Sequence, residues 1–364
     1  MSDDGAIAAK WSARASSPEA APASVSTDGI GSAALGARGA QPCGVWLDRP
    51  PLTTVFRRSE NDGEPVNDRR LRARVAGGEI VRIARGAYAE RAEWDRLTPM
   101  ARHAQRVWEA AARASSFVVA SHWAAAALHG IDIIGDWPTA VDVSIDTASG
   151  GRSSGSFRRH ARALAEVLTM PWERHAVTTP LQSTIDLMTS SRFLDGVVAA
   201  DQALWSRRPG GALVEASALR DAAHGVFGRG SARAPRAADF ATNLSDSVRE
   251  SHSRVLISVL GFPEPELQAR FVLADGREAF TDFFWREHKH IGEFDGTGKY
   301  RDPALRKGRT PEEILLAEKD REDDLRRQVD AFSRWRTPAL RSPKALYEIL
   351  RGAGLPTSRP RPGR

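Results

Sequence analysis

The spacing of apolar and polar positions divides the chain into three patterned blocks. In the first, VNDRRLRARVAGG predicts a short helix with Asn67 as N-cap and Gly77 as its stop, because Leu71 and Val75 share one face. EIVRIARGAYA then reads as two β-rich runs joined at Arg85-Gly86, a hairpin signal. In the second block, SHWAAAALHG predicts a helix between Ser121 and Gly130, and TAVDVSID and FRRHARA read as strands. TTPLQSTIDL opens a helix with Thr179 as N-cap, Pro180 at the first helical position and Gln182 three residues after the cap. The third block predicts helix, three strands, helix, strand, helix. LSDSVRESHSRVLISVLG is its first helix, stopped by Gly261 and Pro263. LQARFVLA, the turn Asp275-Gly276, EAFTDFFW and HIGEFDG are successive strands. PEEILLAEKDREDDLRRQVDAF is a long charged helix, followed by RWRTPAL as a strand and PKALYEIL as a helix.

Between the blocks the pattern fails. Residues 1–48 are Ala, Ser, Gly and Pro with few bulky apolar groups, which predicts a disordered leader. Residues 226–243 read as a basic Gly/Pro-punctuated linker and 353–364 as a frayed tail, leaving domains at 49–95, 96–225 and 244–352. The most apolar stretch, 117–134, contains Ser121, His122, His129 and Asp132, so it predicts a buried segment rather than a membrane span. The lone Cys43 precludes an intramolecular disulfide framework, and the acidic start lacks an apolar signal core. Both fit a cytoplasmic protein.

Lys+Arg 52 against Asp+Glu 46 leaves a net charge of +6, a mild excess that favours a polyanion partner. Its placement says more than its size. Arg69, Arg70, Arg72 and Arg74 lie on the first helix and Arg85 at the hairpin tip. This is the layout of a winged helix-turn-helix, in which a helix enters the major groove of double-stranded DNA and the tip touches phosphate. A solvated arginine face on a surface helix carries equal weight from composition alone.

The third block carries a different chemistry. Asp282 stands on one expected strand, and Glu293 and Asp295, two apart on the next, point to one face. Three carboxylates on adjacent strands make an oxygen site suited to Mg²⁺ or Mn²⁺. Glu250 on the preceding helix is a fourth candidate, and Lys299 could stabilise phosphoryl charge. His122, His129, His160 and His175 match no zinc template, and their expected role is packing or capping.

RLRARVAGGEIVRIARGAYA, ending in Arg85-Gly86-Ala87-Tyr88, resembles the N-terminal winged helix of AbiEi-family antitoxins of type IV toxin–antitoxin systems. Ser121-His122, Leu128-His129-Gly130 and Thr178-Thr179-Pro180 extend that resemblance, which covers about Leu52 to Trp205. It implies a transcriptional regulator with a cognate toxin as partner. A homodimer on an inverted repeat would suit such a regulator. The third block resembles the PD-(D/E)XK superfamily and, more narrowly, the domain related to very-short-patch-repair endonucleases. Glu250 matches the helix acid, Asp282 the first strand acid, and Glu293 and Asp295 the E-x-D element, with Arg321 and Asp324 as structural or phosphate-facing positions. Thr281 stands where the superfamily name has Pro, and Asp295 where many active members carry Lys. The expected fold is therefore a multidomain α/β chain: an N-terminal winged helix-turn-helix, an α+β middle domain and a C-terminal αβββαβ restriction-endonuclease-like domain. Two functions remain open, a DNA-binding regulator and a Mg²⁺-dependent DNA endonuclease.

Overall fold

A recurring Thr-Pro device opens helices along this chain. The hydroxyls of Thr98, Thr179 and Thr310 each accept the backbone N–H three residues on, and a proline at the first turn follows each of them. The computed structural model describes residues 46–57, 68–146, 155–228, 230–296 and 310–363. Within them lie two compact units, 46–255 and 256–363, both of mixed α/β character.

The first unit begins with strand β1 (Phe56–Arg57), helix α1 (Asp68–Ala76), β2 (Ile80–Ala84) and β3 (Ala87–Glu90). The three strands form an antiparallel sheet in the order β1-β3-β2. The β2–β3 turn runs through Gly86, whose φ of 72° lies in the left-handed region that glycine adopts without a Cβ clash. The N-cap expected at Asn67 lies outside the described residues. Helices α2 (Arg91–Arg96) and α3 (Pro99–Ala112) follow. Leu52, Ile83, Ala87, Ala89 and Trp94 form a small core, which Leu97 also packs against and shares with the larger core of the unit.

That larger core is built on a five-stranded sheet of β4 (Val119–Ala120), β5 (Val141–Asp146), β6 (Phe157–Arg162), β7 (Thr169–Trp172) and β8 (His175–Thr178) in the order β6-β5-β4-β8-β7. Helices α4 (His122–His129), α5 (Pro180–Ser190), α6 (Phe193–Leu204), α7 (Ala216–His224) and α8 (Arg233–Phe240) complete the unit. Helix α4 is alanine-rich because it is buried almost all round, and small side chains let it sit close to the sheet. The span expected as a linker, 226–243, contains α8. Its Ala234, Ala237, Ala238 and Phe240 are buried, and Arg236 lies over the Phe193 ring at 5.4 Å. Alanines at helical spacing gave this packed face a composition like that of a linker.

Helix α9 (Val248–Val259) carries the chain across the boundary at 255/256. The second unit then forms β9 (Glu266–Val272), β10 (Glu278–Trp285), β11 (His290–Phe294), α10 (Pro311–Arg326), β12 (Ala331–Trp335), α11 (Thr337–Leu340) and α12 (Pro343–Gly352). Its sheet has the order β12-β11-β10-β9, antiparallel except for the parallel pair β11 and β12, which α10 connects. One core joins Phe283, Trp285, Phe294 and Trp335 to α11 and α12, and a second packs Leu325 of α10 on Phe284 and Ile291. Among the described residues, no helix is long and apolar enough to cross a membrane.

Candidate nucleic-acid interface and carboxylate centre

Residues 68–106 hold ten arginines and no lysine against five acids, a local excess of charge nearly as large as that of the whole chain. Arg69, Arg70 and Arg72 are exposed on α1, and Arg82 and Arg85 are exposed on the hairpin. Arg74 is half-buried. Its Nε donates to Glu79 at 3.0 Å, its Nη2 donates to Glu90 at 2.8 Å, and its guanidinium lies 5.8 Å from the Phe56 ring centre. Arg74, one of the arginines expected to face DNA, thus also ties α1 to β1, to β3 and to the turn before β2. Arg57 ties β1 to α3 in a similar way, through the buried Glu109 at 2.9 Å.

In the second unit, Phe283 pairs with Gly292 across β10 and β11, which places Asp282 beside Glu293 on neighbouring strands. The Phe294 N–H donates to Asp282 at 2.8 Å. Each oxygen of Glu293 accepts a different arginine: Arg321 of α10 at 2.8 Å and Arg334 of β12 at 3.0 Å. Arg321 also donates to Glu318 at 3.2 Å and to the Phe280 carbonyl at 2.8 Å, and Arg334 pairs with Glu322 at 2.9 Å. Burial would lower the pKa of Arg321, but Glu293, Glu318 and Asp282 outweigh it and raise the value. Burial is likewise outweighed at Arg334, there by Glu293, Glu322 and Glu318.

Asp295 stands just beyond the end of β11 and accepts Arg336 at 2.8 Å, so it has a partner of its own. Asp324 accepts the Ala274 N–H at 3.0 Å and pairs with Arg327. Glu250, in the first unit, works as a helix cap: it accepts the Asp246 N–H at 2.8 Å and the Ser247 hydroxyl at 2.9 Å. Lys299 lies outside the described residues. Among the described residues, no three His, Cys, Asp or Glu side chains are grouped so as to hold a metal ion. By donor chemistry Asp282 and Glu293 suit a hard cation such as Mg²⁺ or Mn²⁺, and each oxygen of Glu293 already accepts one guanidinium.

Comparison with family models, curated proteins and solved structures finds no match.

The histidines divide in a way their spacing did not show. His129 and His175 contact the Thr178 and Ala111 carbonyls at 2.7 and 2.9 Å, as packing residues do. His122 and His160 instead stack at 3.7 Å, although 38 positions separate them in the chain. Asp142 contacts His160 at 2.7 Å, and Asp186 accepts Arg162 at 2.8 Å. One oxygen of each of these buried acids has no hydrogen-bond partner, and His122 has a φ of 51°, which strains a non-glycine residue. Burial, then His160 and Arg162, push the His122 pKa well below the usual histidine value, against an opposing pull from Asp142. Arg162, Gln182 and Asp186 also line an open cleft of about 640 Å³. The alternation of Arg158, His160 and Arg162 along β6 was the signal available in the sequence.

Proposed function

We propose that this chain is a DNA-binding transcriptional regulator of the AbiEi-antitoxin type, with α1 and the β2–β3 hairpin acting as a winged helix on double-stranded DNA. The observation that carries this reading is the ten-to-five excess of arginine over acid in residues 68–106, with Arg69, Arg70 and Arg72 exposed on a short helix beside a hairpin. Phosphate contacts would supply a salt-dependent affinity and base-edge contacts a sequence preference. A cognate toxin and a second copy of the chain are the partners this function calls for. The test is a filter-binding salt titration with the gene's own upstream DNA and a scrambled duplex. Equal affinity for both at every salt concentration would remove the regulator reading.

A second reading, a metal-dependent DNA endonuclease, is favoured by one observation in the second unit. The order three strands, helix, strand, with β11 and β12 parallel, suits the PD-(D/E)XK fold and has Asp282 and Glu293 on neighbouring strands. Asp282 and Glu293 would hold Mg²⁺ or Mn²⁺, and the ion would polarise the phosphate and activate water. Purified protein that cleaves duplex DNA with Mg²⁺, and loses this on Asp282→Ala, is the expected result. Cleavage that survives the substitution rules out this site.

A further inference from the structure

The cleft beside the histidine stack brings unlike charges together and leaves both with bonds to spare. Arg162 donates from Nη1 to Asp186 at 2.8 Å and brings Nη2 to 3.4 Å from His122 Nε2. A guanidinium has five N–H groups, so with these two engaged three of them on Arg162 have no partner among the described residues. Its side chain keeps 23% exposure. Asp186 is short of donors in the same way. Its Oδ1 accepts Arg162 and Gln182, whereas Oδ2 lies 3.7 Å from His122 Nδ1, too far for a hydrogen bond, and has no partner. A buried carboxylate oxygen in that state is costly unless a donor completes it. The walls around the pair are apolar. Leu168, Ile185 and Phe227 line the cleft, and Leu168 and Phe227 are 53% and 91% exposed. Glu166 lines it too, so acids outnumber bases among the described lining residues. That balance disfavours a plain carboxylate, and a plain amine would leave the spare N–H groups of Arg162 unused.

We infer that this cleft is a binding site for a large apolar α-amino acid. The ligand's carboxylate sits on the spare N–H groups of Arg162, its ammonium on Asp186, and its side chain against Leu168, Ile185 and Phe227. The match is one of spacing as well as sign. An α-amino acid holds its two charges on either side of one carbon, and Arg162 and Asp186 are in direct contact, so a single ligand can meet both. Charge-assisted hydrogen bonds of this kind are the stronger ones. The volume of about 640 Å³ lies within the range of small-molecule sites. None of the lining residues belongs to the small sheet or to α1, so the inference is independent of the DNA-binding reading.

The test is calorimetric titration of the full chain with L-phenylalanine and L-leucine. Three truncated compounds run beside them: phenylpropanoate, which lacks the ammonium, phenethylamine, which lacks the carboxylate, and glycine, which lacks the apolar side chain. At least one of the two amino acids should bind with a dissociation constant of ~1 mM or below. Each truncated compound should bind about tenfold more weakly or not at all. Arg162→Lys should weaken amino-acid binding about tenfold, because an ammonium cannot offer the planar fork of a guanidinium. Should that variant melt early, Phe227→Ala serves instead, since the Phe227 side chain is almost fully exposed and the fold does not lean on it. It should weaken L-phenylalanine severalfold and leave the melting temperature of the free protein unchanged. If neither amino acid binds, the inference is overturned. If phenylpropanoate or phenethylamine binds as tightly as L-phenylalanine, the cleft takes a simple acid or amine and the amino-acid assignment fails. Binding that survives both Arg162→Lys and Phe227→Ala unchanged puts the amino acid elsewhere on the chain and overturns the site.

Discussion

One guanidinium nitrogen of Arg254 lies 2.9 Å from both carboxylate oxygens of Asp201, and the two side chains are 4% and 0% exposed. Arg254 also donates to the Phe240 carbonyl and lies 4.2 Å from that ring's centre, while Asp201 accepts the Thr242 N–H at 2.7 Å. The pair thus binds α6, the end of α8 and α9 together. Removing one partner strands a buried charge, so Asp201→Ala should cost about 3–5 kcal/mol. A denaturant midpoint unchanged from wild type would contradict this.

Gly292 carries a different kind of constraint. A Cβ there would lie 2.7 Å from the Trp335 ring and 2.9 Å from the Trp285 ring. Both indoles are packed with Phe283 in the second unit's core and have nowhere to retreat. Gly292→Ala should destabilise that unit by roughly 1–3 kcal/mol through overpacking. Thermal melts followed by tryptophan fluorescence would show it as a lower midpoint.

Stability should fall on mild acidification. Burial, the largest cause in each case, lowers the pKa of His103, His129, His252 and His290 to about 4. A histidine depressed in the folded state binds its proton more readily when unfolded. Its contribution is therefore present above about pH 6.5 and is lost progressively towards pH 4. Asp186, raised chiefly by burial, acts in the opposite sense at the acid end. Melting temperature measured from pH 7.5 to 4.5 should drop, and His129→Gln should make the drop shallower. A profile unaltered by that substitution would mean His129 is not among the groups responsible.

The arginines of α1 should separate by role. Replacing Arg69, Arg70 and Arg72 with alanine should lower the slope of log affinity against log salt by about 0.9 for each phosphate left without its arginine. Arg74→Ala should lower the melting temperature as well, because its partners Glu79 and Glu90 hold the helix to the hairpin. A melting temperature for Arg74→Ala equal to that of wild type would refute this role.

Local signals in the sequence were the readable ones. Thr179 and Pro180 open α5, and Asp275-Gly276 turns β9 into β10, as their spacing predicts, because caps and turns are settled within a few residues. What lay out of reach was the fate of side chains whose partners are distant in the chain. The positions of Glu293 and Asp295 were visible, but not that Arg334 and Arg336, 41 residues on in each case, would take them up. The stack of His122 on His160 was hidden for the same reason. Their chemistry depends on which strands become neighbours, and no local pattern encodes that.

Strand β6 forms one edge of the five-stranded sheet, and its alternate residues Arg158, His160 and Arg162 engage the buried Asp142 and Asp186. An edge held this way works as a test of identity. A foreign strand could match the backbone of β5, but to satisfy the acids beneath it would have to bring hydrogen-bond donors at the same three alternating positions. An apolar strand in the place of β6 would deprive two buried carboxylates of these partners. The place beside β5 is thus selective for the side chains that β6 brings.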